Sequence, residues 1–97
     1  MKLLSMPSTG KLGALGELLA SADLMKRGFE VYRAISPASS CDLCVIKNSR
    51  KYSVEVRTGH RTADGKIATM RAKVRADFLA VVLHYENTVV YEPSLPN

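Results

Sequence analysis

With 97 residues, of which 46% are hydrophobic and 24% charged, the chain has the composition of one folded domain and not of a disordered segment. No run of residues is long and apolar enough for a signal peptide or a membrane span, which predicts a cytoplasmic protein with a single domain, residues 1–97. The net charge is +5, and residues 57–75 hold six cationic side chains against Asp64 alone. This favours DNA as a polyanionic partner, with an ordinary solvated basic surface as the alternative.

The first predicted element is a helix over residues 12–27. Thr9 is its predicted N-cap and Gly28 its C-terminal stop. Glu17 lies in this helix among small residues, where we expect another part of the chain to approach closely. The predicted buried stripe follows the three-to-four spacing of apolar residues, with two further residues widening it: Leu12, Leu15, Leu19 and Ala22, then Leu18 and Met25.

Strands are predicted after the helix. "FEVYRA" alternates in the manner of a strand, "SPASS" is a loop, and "CDLCVIK" and "YSVEVRT" are expected to pair as a hairpin. Residues 60–76 are predicted to be a basic loop with a short helical or strand segment. "DFLAVVLHY" is typical of a buried strand, and "TVVYEP" of a further strand. The predicted fold class is α/β, with a mixed central sheet and one main N-terminal flanking helix.

The hairpin gathers charged residues on one face. Side chains alternate with period two, so Asp42, Glu55 and Arg57 share a face and the intervening valines and Leu43 share the other. With "NSRK" as a four-residue loop, Lys47 pairs with Tyr52; a two-residue loop changes the partners but not the faces. Two carboxylates suffice for Mg²⁺, which is often held by one or two of them with water and phosphate. An exposed cross-strand ion pair is the alternative.

Two cysteines within the hairpin, Cys41 and Cys44, are predicted to be free thiols. Residues three positions apart on a strand face opposite ways, so the two sulfurs cannot close on one zinc ion. The spacing therefore does not favour a zinc site.

Three segments taken together, "GALGELLASADLMKRGFEVYR", "SPASSCDL" and "VEVRTG", resemble the core of the PD-(D/E)XK nuclease superfamily, and most of all its small Holliday junction resolvase-type endonucleases. The resemblance spans about residues 10–60. It implies a restriction-endonuclease-like fold and a DNA endonuclease that uses Mg²⁺, or Mn²⁺, to hydrolyse phosphodiester bonds, with branched DNA as one expected substrate. It also implies a homodimer, because four-way junctions are cut symmetrically by paired subunits.

The resemblance assigns roles by position. Glu17 corresponds to the family's first-helix glutamate, Asp42 to its metal-binding aspartate, and Glu55 to the acidic residue of its E-x-K element. The carbonyl of Val56, the middle residue of that element, is expected to face the metal ion. Arg33 and the hydroxyl-rich loop 36–40 resemble a loop that lies near the bound phosphate. The residues expected to contact DNA are Lys11, Arg33, Ser39, Arg61, Lys66, Arg71, Lys73 and Arg75.

One departure from the family pattern bears on activity. Arg57 stands where the family has its lysine, whereas Cys41 replaces a proline at a variable position. Arginine stays protonated and is a poor general base, although it can hold a phosphate through two hydrogen bonds. Two interpretations therefore stay open: an endodeoxyribonuclease in which Arg57 stabilises the phosphate, and a catalytically inactive DNA-binding or assembly module on the same fold.

Overall fold

The computed structural model describes residues 8–36, 39–69 and 75–96. Within these ranges the elements follow in the order α1 (Thr9–Lys26), β1 (Glu30–Arg33), β2 (Leu43–Lys47), β3 (Arg50–Arg61), β4 (Ile67–Thr69), β5 (Phe78–Leu83) and β6 (Thr88–Glu92). Strand β4 is the short segment that the sequence left ambiguous between helix and strand. No helix in the described part of the chain combines the length and the hydropathy needed to cross a membrane.

The strands form one mixed sheet in the order β1-β2-β3-β5-β6, with β4 paired to the far end of β3. β3 and β5 run parallel, while the other neighbouring pairs are antiparallel. A parallel pair cannot be joined by a tight turn, so the chain between β3 and β5 has to travel back along the sheet. The predicted fold class, a mixed sheet with one N-terminal flanking helix, is confirmed.

The ends of α1 follow local chemistry. The hydroxyl of Ser8, and not of Thr9, caps the helix by accepting from the backbone N–H of Lys11 at 3.5 Å. Gly28 follows the C-cap with φ of +89°, a left-handed conformation that glycine adopts without steric cost. The predicted stop at Gly28 is therefore right, and the predicted N-cap is wrong by one residue.

The buried face of α1 differs from the predicted stripe. Gly16, Ala20 and Leu24 are buried, whereas three residues of the predicted stripe are 42–58% exposed: Leu15, Leu18 and Met25. The prediction is wrong for these three residues, whereas Leu19 of the predicted stripe does pack against the main core. The error arose because the prediction weighted large apolar residues, while small ones, Gly16 and Ala20, also meet the sheet.

Close approach to α1 occurs at Gly16. A Cβ placed there would lie 3.7 Å from a methyl of Val82 and 3.8 Å from one of Val56. Nothing lies within 4 Å of such an atom at Gly13. The close approach expected among the small residues beside Glu17 therefore occurs at Gly16 and not at Gly13.

Both faces of β5 are covered. Alternate residues join the main core between α1 and the sheet, which includes Ala80 and Val82 together with Leu24. The intervening residues Leu79, Val81 and Leu83 form a second cluster with Ile67 and Val90 on the other face. The continuous apolar run predicted for this strand is thus explained by burial on both sides.

The edge strand β6 is tied to α1 through Tyr91. Its hydroxyl donates to the Asp23 carboxylate at 2.6 Å, and the guanidinium of Arg27 lies 5.1 Å from the ring centroid. Burial, with this hydrogen bond, raises the pKa of Tyr91. The phenol therefore remains a hydrogen-bond donor at neutral pH.

Candidate metal and phosphate site

The β2–β3 hairpin turns in two residues. Asn48 and Ser49 both have positive φ, +53° and +65°, as in the turns whose twist matches paired strands. Lys47 therefore pairs with Arg50, and Leu43 lies opposite Val54. The four-residue register, which would pair Lys47 with Tyr52, is wrong, and the two-residue alternative holds.

The expected division of the two faces survives this change of register. Leu43, Val45 and Val54 are fully buried and Val56 is 9% exposed, all in the main core on the α1 side. Glu55 and Arg57 alternate with these residues, so their side chains lie on the opposite face, beside the second cluster.

Asp42 is fixed where β2 begins. Its backbone N–H donates to the Val54 carbonyl at 3.1 Å, and its own carbonyl accepts from the N–H of Ala34 at 3.0 Å. Its carboxylate Oδ2 accepts from the backbone N–H of Val56 at 2.7 Å. That amide belongs to the peptide bond joining Glu55 to Val56. The backbone of β1 and of β3 thus holds Asp42 against the segment that carries Glu55.

Glu55 and Arg57 form an ion pair along β3. Nη2 of Arg57 lies 3.1 Å from Oε1 of Glu55, and the two side chains are 31% and 17% exposed. Residues two apart on a strand share a face, which makes this pair possible. Arg57 therefore already neutralises the Glu55 carboxylate in the protein alone.

A second ion pair joins α1 to β1. Nε of Arg33 donates to Oε1 of Glu17 at 3.2 Å, with exposures of 56% and 26%. These two side chains line a pocket together with Asp42, Ser39 and parts of the 34–41 loop. The structure thus places four of the predicted site residues around one pocket. Glu55 and Arg57 do not line this pocket. Asp42 is connected to their strand, β3, by the hydrogen bond from the backbone N–H of Val56.

The carboxylates of the site offer oxygen ligands only, which suits a hard cation such as Mg²⁺. Within residues 8–36, 39–69 and 75–96, however, no three or more His, Cys, Asp or Glu side chains are close enough together to hold a metal ion. Glu17, Asp42 and Glu55 are therefore not a ready three-carboxylate site. Mg²⁺ is commonly held by one or two carboxylates together with water and substrate phosphate. In number and chemistry, the carboxylates of Asp42 and Glu55 meet that smaller requirement.

The other predicted DNA-contacting residues are dispersed. Lys11 is exposed in the first turns of α1, and Lys66 and Arg75 are exposed beyond β3. Arg61 is already paired with Glu86 at 2.6 Å and donates to the Gly65 carbonyl. Arg71 and Lys73 lie outside the described residues.

A polar contact that the sequence did not indicate lies at the end of β5. Nε2 of His84 is 3.4 Å from Oγ1 of Thr58 and lies 3.8 Å from where a Cβ of Gly16 would be. Thr58 alternates with Arg57 along β3, so this contact lies on the α1 side of the sheet. The feature of the sequence that could have indicated this contact is a histidine directly after the apolar run of β5.

The fold is a small α/β domain in which acidic residues lie where two neighbouring strands meet. Among solved structures it is similar to the bacterial homing endonuclease I-Ssp6803I, with a TM-score of 0.75 and 19% sequence identity over 89% of this chain. The chain spans 65% of the length of that endonuclease chain, slightly less than two thirds. No protein-family model matches the sequence, and no curated protein matches it. The endonuclease-like fold is thus shown, while the closer relation to resolvases stays a prediction.

Proposed function

We propose that this chain is a metal-dependent DNA endonuclease that hydrolyses phosphodiester bonds. The observation that supports it most is the position of the Asp42 carboxylate, 2.7 Å from the amide that joins Glu55 to Val56. An aspartate is held there against the strand segment that carries a second acidic residue, Glu55, in a fold similar to that of a homing endonuclease. A purely structural carboxylate would satisfy the same amide, so the proposal depends on the charge of Asp42 and not only on its hydrogen bond.

In this proposal Asp42 and Glu55 hold Mg²⁺, or Mn²⁺, with the Val56 carbonyl facing the ion and Glu17 assisting. A bound divalent ion supplies Lewis-acid stabilisation of the phosphate and lowers the pKa of a coordinated water. The protein's own part is to fix Asp42 through backbone contacts on both sides. Such fixed positioning lowers the reorganisation needed when the substrate arrives.

In this proposal Arg57 stabilises the phosphate and does not take part in proton transfer. An arginine side chain is permanently charged and is therefore a poor general base. It can donate two hydrogen bonds to phosphate oxygens and stabilise the charge that develops there. Arg33 and Ser39 lie at the pocket beside Asp42 and are proposed to contact a phosphate. Lys11, Lys66 and Arg75 are proposed to hold the backbone without reading sequence.

The alternative is a catalytically inactive DNA-binding or assembly module. Its support is that Arg57 stands where the family has a lysine and that Glu17 and Glu55 are each already paired with an arginine.

The main proposal has three further parts: a preference for branched DNA, a homodimer and a cytoplasmic location. They follow from the resolvase resemblance and from the sequence, and light scattering at working concentration tests the dimer.

The proposal predicts that Glu55→Ala abolishes cleavage but leaves DNA binding unchanged or slightly tighter, because the variant removes a negative charge near phosphate. Cleavage is measured on labelled single-stranded, duplex and four-way-junction DNA with Mg²⁺ or Mn²⁺ against a chelator. Glu86→Ala is the matched control, since it also frees an arginine from an ion pair but lies outside the proposed metal site. Unchanged cleavage by Glu55→Ala would refute the metal assignment.

A second prediction concerns the basic segment. A triple alanine variant of Arg71, Lys73 and Arg75 is expected to bind DNA more weakly at moderate salt, and the dependence of log K on log salt should become shallower by roughly 0.9 for each lost phosphate contact. Fluorescence anisotropy over a salt series measures both quantities. Equal binding by the variant and the unchanged protein would favour a structural domain with a merely solvated basic segment.

A further inference from the structure

We infer that Arg33 and Arg57 occupy the site's carboxylates in the free protein and release them to the metal ion when DNA phosphate arrives, so that metal binding is coupled to DNA binding. This inference rests on the proposed function and deepens it. It concerns the order in which the site is assembled, because the carboxylates proposed as ligands already have cationic partners when no substrate is present.

The contacts that carry the inference are two arginine–glutamate pairs. One lies in the pocket that Asp42 lines, and the other lies on the strand segment whose Val56 amide is hydrogen-bonded to Asp42. Arg57 holds Glu55 at 3.1 Å, and Arg33 holds Glu17 at 3.2 Å. Asp42 has a different kind of partner, since its carboxylate accepts from the neutral amide of Val56. Among the described residues no ion pair therefore balances the Asp42 carboxylate, while Glu17 and Glu55 are each paired with an arginine.

These two ion pairs disfavour the binding of a divalent metal ion by the free protein. An ion bound by Glu55 or Glu17 would lie within a few ångströms of a guanidinium, and like charges at that distance repel. We therefore expect weak metal binding that depends mainly on Asp42.

A DNA phosphate offers both arginines a better partner. Guanidinium groups match two phosphate oxygens as well as they match a carboxylate. The Arg33 side chain is 56% exposed and that of Arg57 is 31% exposed, so each has room to change partner. Once the arginines bind phosphate, the freed carboxylates and the phosphate together can satisfy the metal ion.

Such coupling is reciprocal. If DNA raises the affinity for the metal ion by some factor, the metal ion must raise the affinity for DNA by the same factor. The ion pairs then prevent the free protein from holding a metal ion in a reactive arrangement away from DNA. Arg33 and Arg57 are thus positioning residues for the ion as well as phosphate ligands.

The experiment measures Mn²⁺ affinity of the full chain without DNA, by the loss of the free-ion signal in electron paramagnetic resonance. Arg33→Gln and Arg57→Gln are each expected to bind Mn²⁺ about fivefold more tightly than the unchanged protein, as loss of one partly exposed ion pair allows. Arg27→Gln is the matched control, because its pair with Asp23 has comparable exposures of 49% and 30% but no part in the proposed site. It should leave Mn²⁺ affinity unchanged.

A DNA arm completes the test. Addition of a 20-base-pair duplex should raise Mn²⁺ affinity of the unchanged protein, after subtraction of the binding by DNA alone, and should raise that of the two arginine variants less. Asp42→Asn should remove this binding in every background. Asp42-dependent Mn²⁺ affinity that is equal or weaker in both arginine variants would overturn the inference while leaving the metal site in place. Absence of any Asp42-dependent binding, with or without DNA, would instead overturn the proposed function.

Discussion

Asp42→Asn is expected to lower metal-dependent DNA cleavage by at least about a hundredfold, equivalent to about 2.7 kcal/mol of transition-state stabilisation, while leaving the fold intact. The amide oxygen of asparagine can still accept the N–H of Val56, which the aspartate accepts at 2.7 Å. Only the negative charge is lost, and a neutral amide is a much weaker ligand for a hard divalent ion than a carboxylate. Single-turnover cleavage and thermal unfolding, measured on the same preparation, separate the two roles.

Asp42→Ala is the companion variant. It removes both the charge and the hydrogen-bond acceptor, so it should lose cleavage equally and also unfold more easily, by about 1 kcal/mol for an unsatisfied amide. If Asp42→Asn cuts DNA as fast as the unchanged protein, the charge of Asp42 has no catalytic role and the metal assignment is wrong. The comparison therefore tests chemistry and structure with two substitutions at one position.

Arg57→Lys decides between the two interpretations of the fold. If Arg57 only stabilises phosphate, lysine should retain part of the activity, because it keeps the charge but loses the two-pronged geometry. If the site requires a group that exchanges a proton, lysine should increase cleavage above that of the unchanged protein. Tight DNA binding with no cutting by either form would show a DNA-binding module that no longer cleaves.

The sequence predicted the parts of this fold that depend on local pattern. Alternation along the hairpin assigned Leu43 and Val54 to the core and Glu55 to the other face, and this assignment survived an error in the loop length because side-chain direction depends only on strand period. The resemblance added the expectation of an endonuclease-like fold, which agrees with the similarity to a homing endonuclease structure. Its assignment of roles to the acidic residues stays a prediction.

The sequence did not predict features that depend on the approach of distant segments. Nothing in the pattern of α1 indicates that Gly16 and Ala20 meet the sheet while Leu18 stays 58% exposed. The pairing of Arg33 with Glu17 joins residues 16 positions apart and depends on where β1 lies beneath the helix. Such contacts follow from packing between elements, which a single sequence does not specify residue by residue.

The second large effect is expected at Gly59, where Gly59→Ala should destabilise the protein by about 2 kcal/mol, as overpacking of a tight site does. An added Cβ would lie 2.4 Å from Cγ1 of Val81 and 3.0 Å from the carbonyl oxygen of Ala68. The Val81 methyl is part of the second cluster and the carbonyl belongs to β4, so neither can move without disturbing the sheet. Gly13→Ala is the opposite control, because its Cβ meets nothing within 4 Å and alanine in a helix is favoured over glycine by about 1 kcal/mol. The midpoint of urea unfolding should therefore fall for Gly59→Ala and rise for Gly13→Ala, relative to the unchanged protein. A Gly59→Ala protein as stable as the unchanged chain would show that β4 does not pack against β3 and β5 as described.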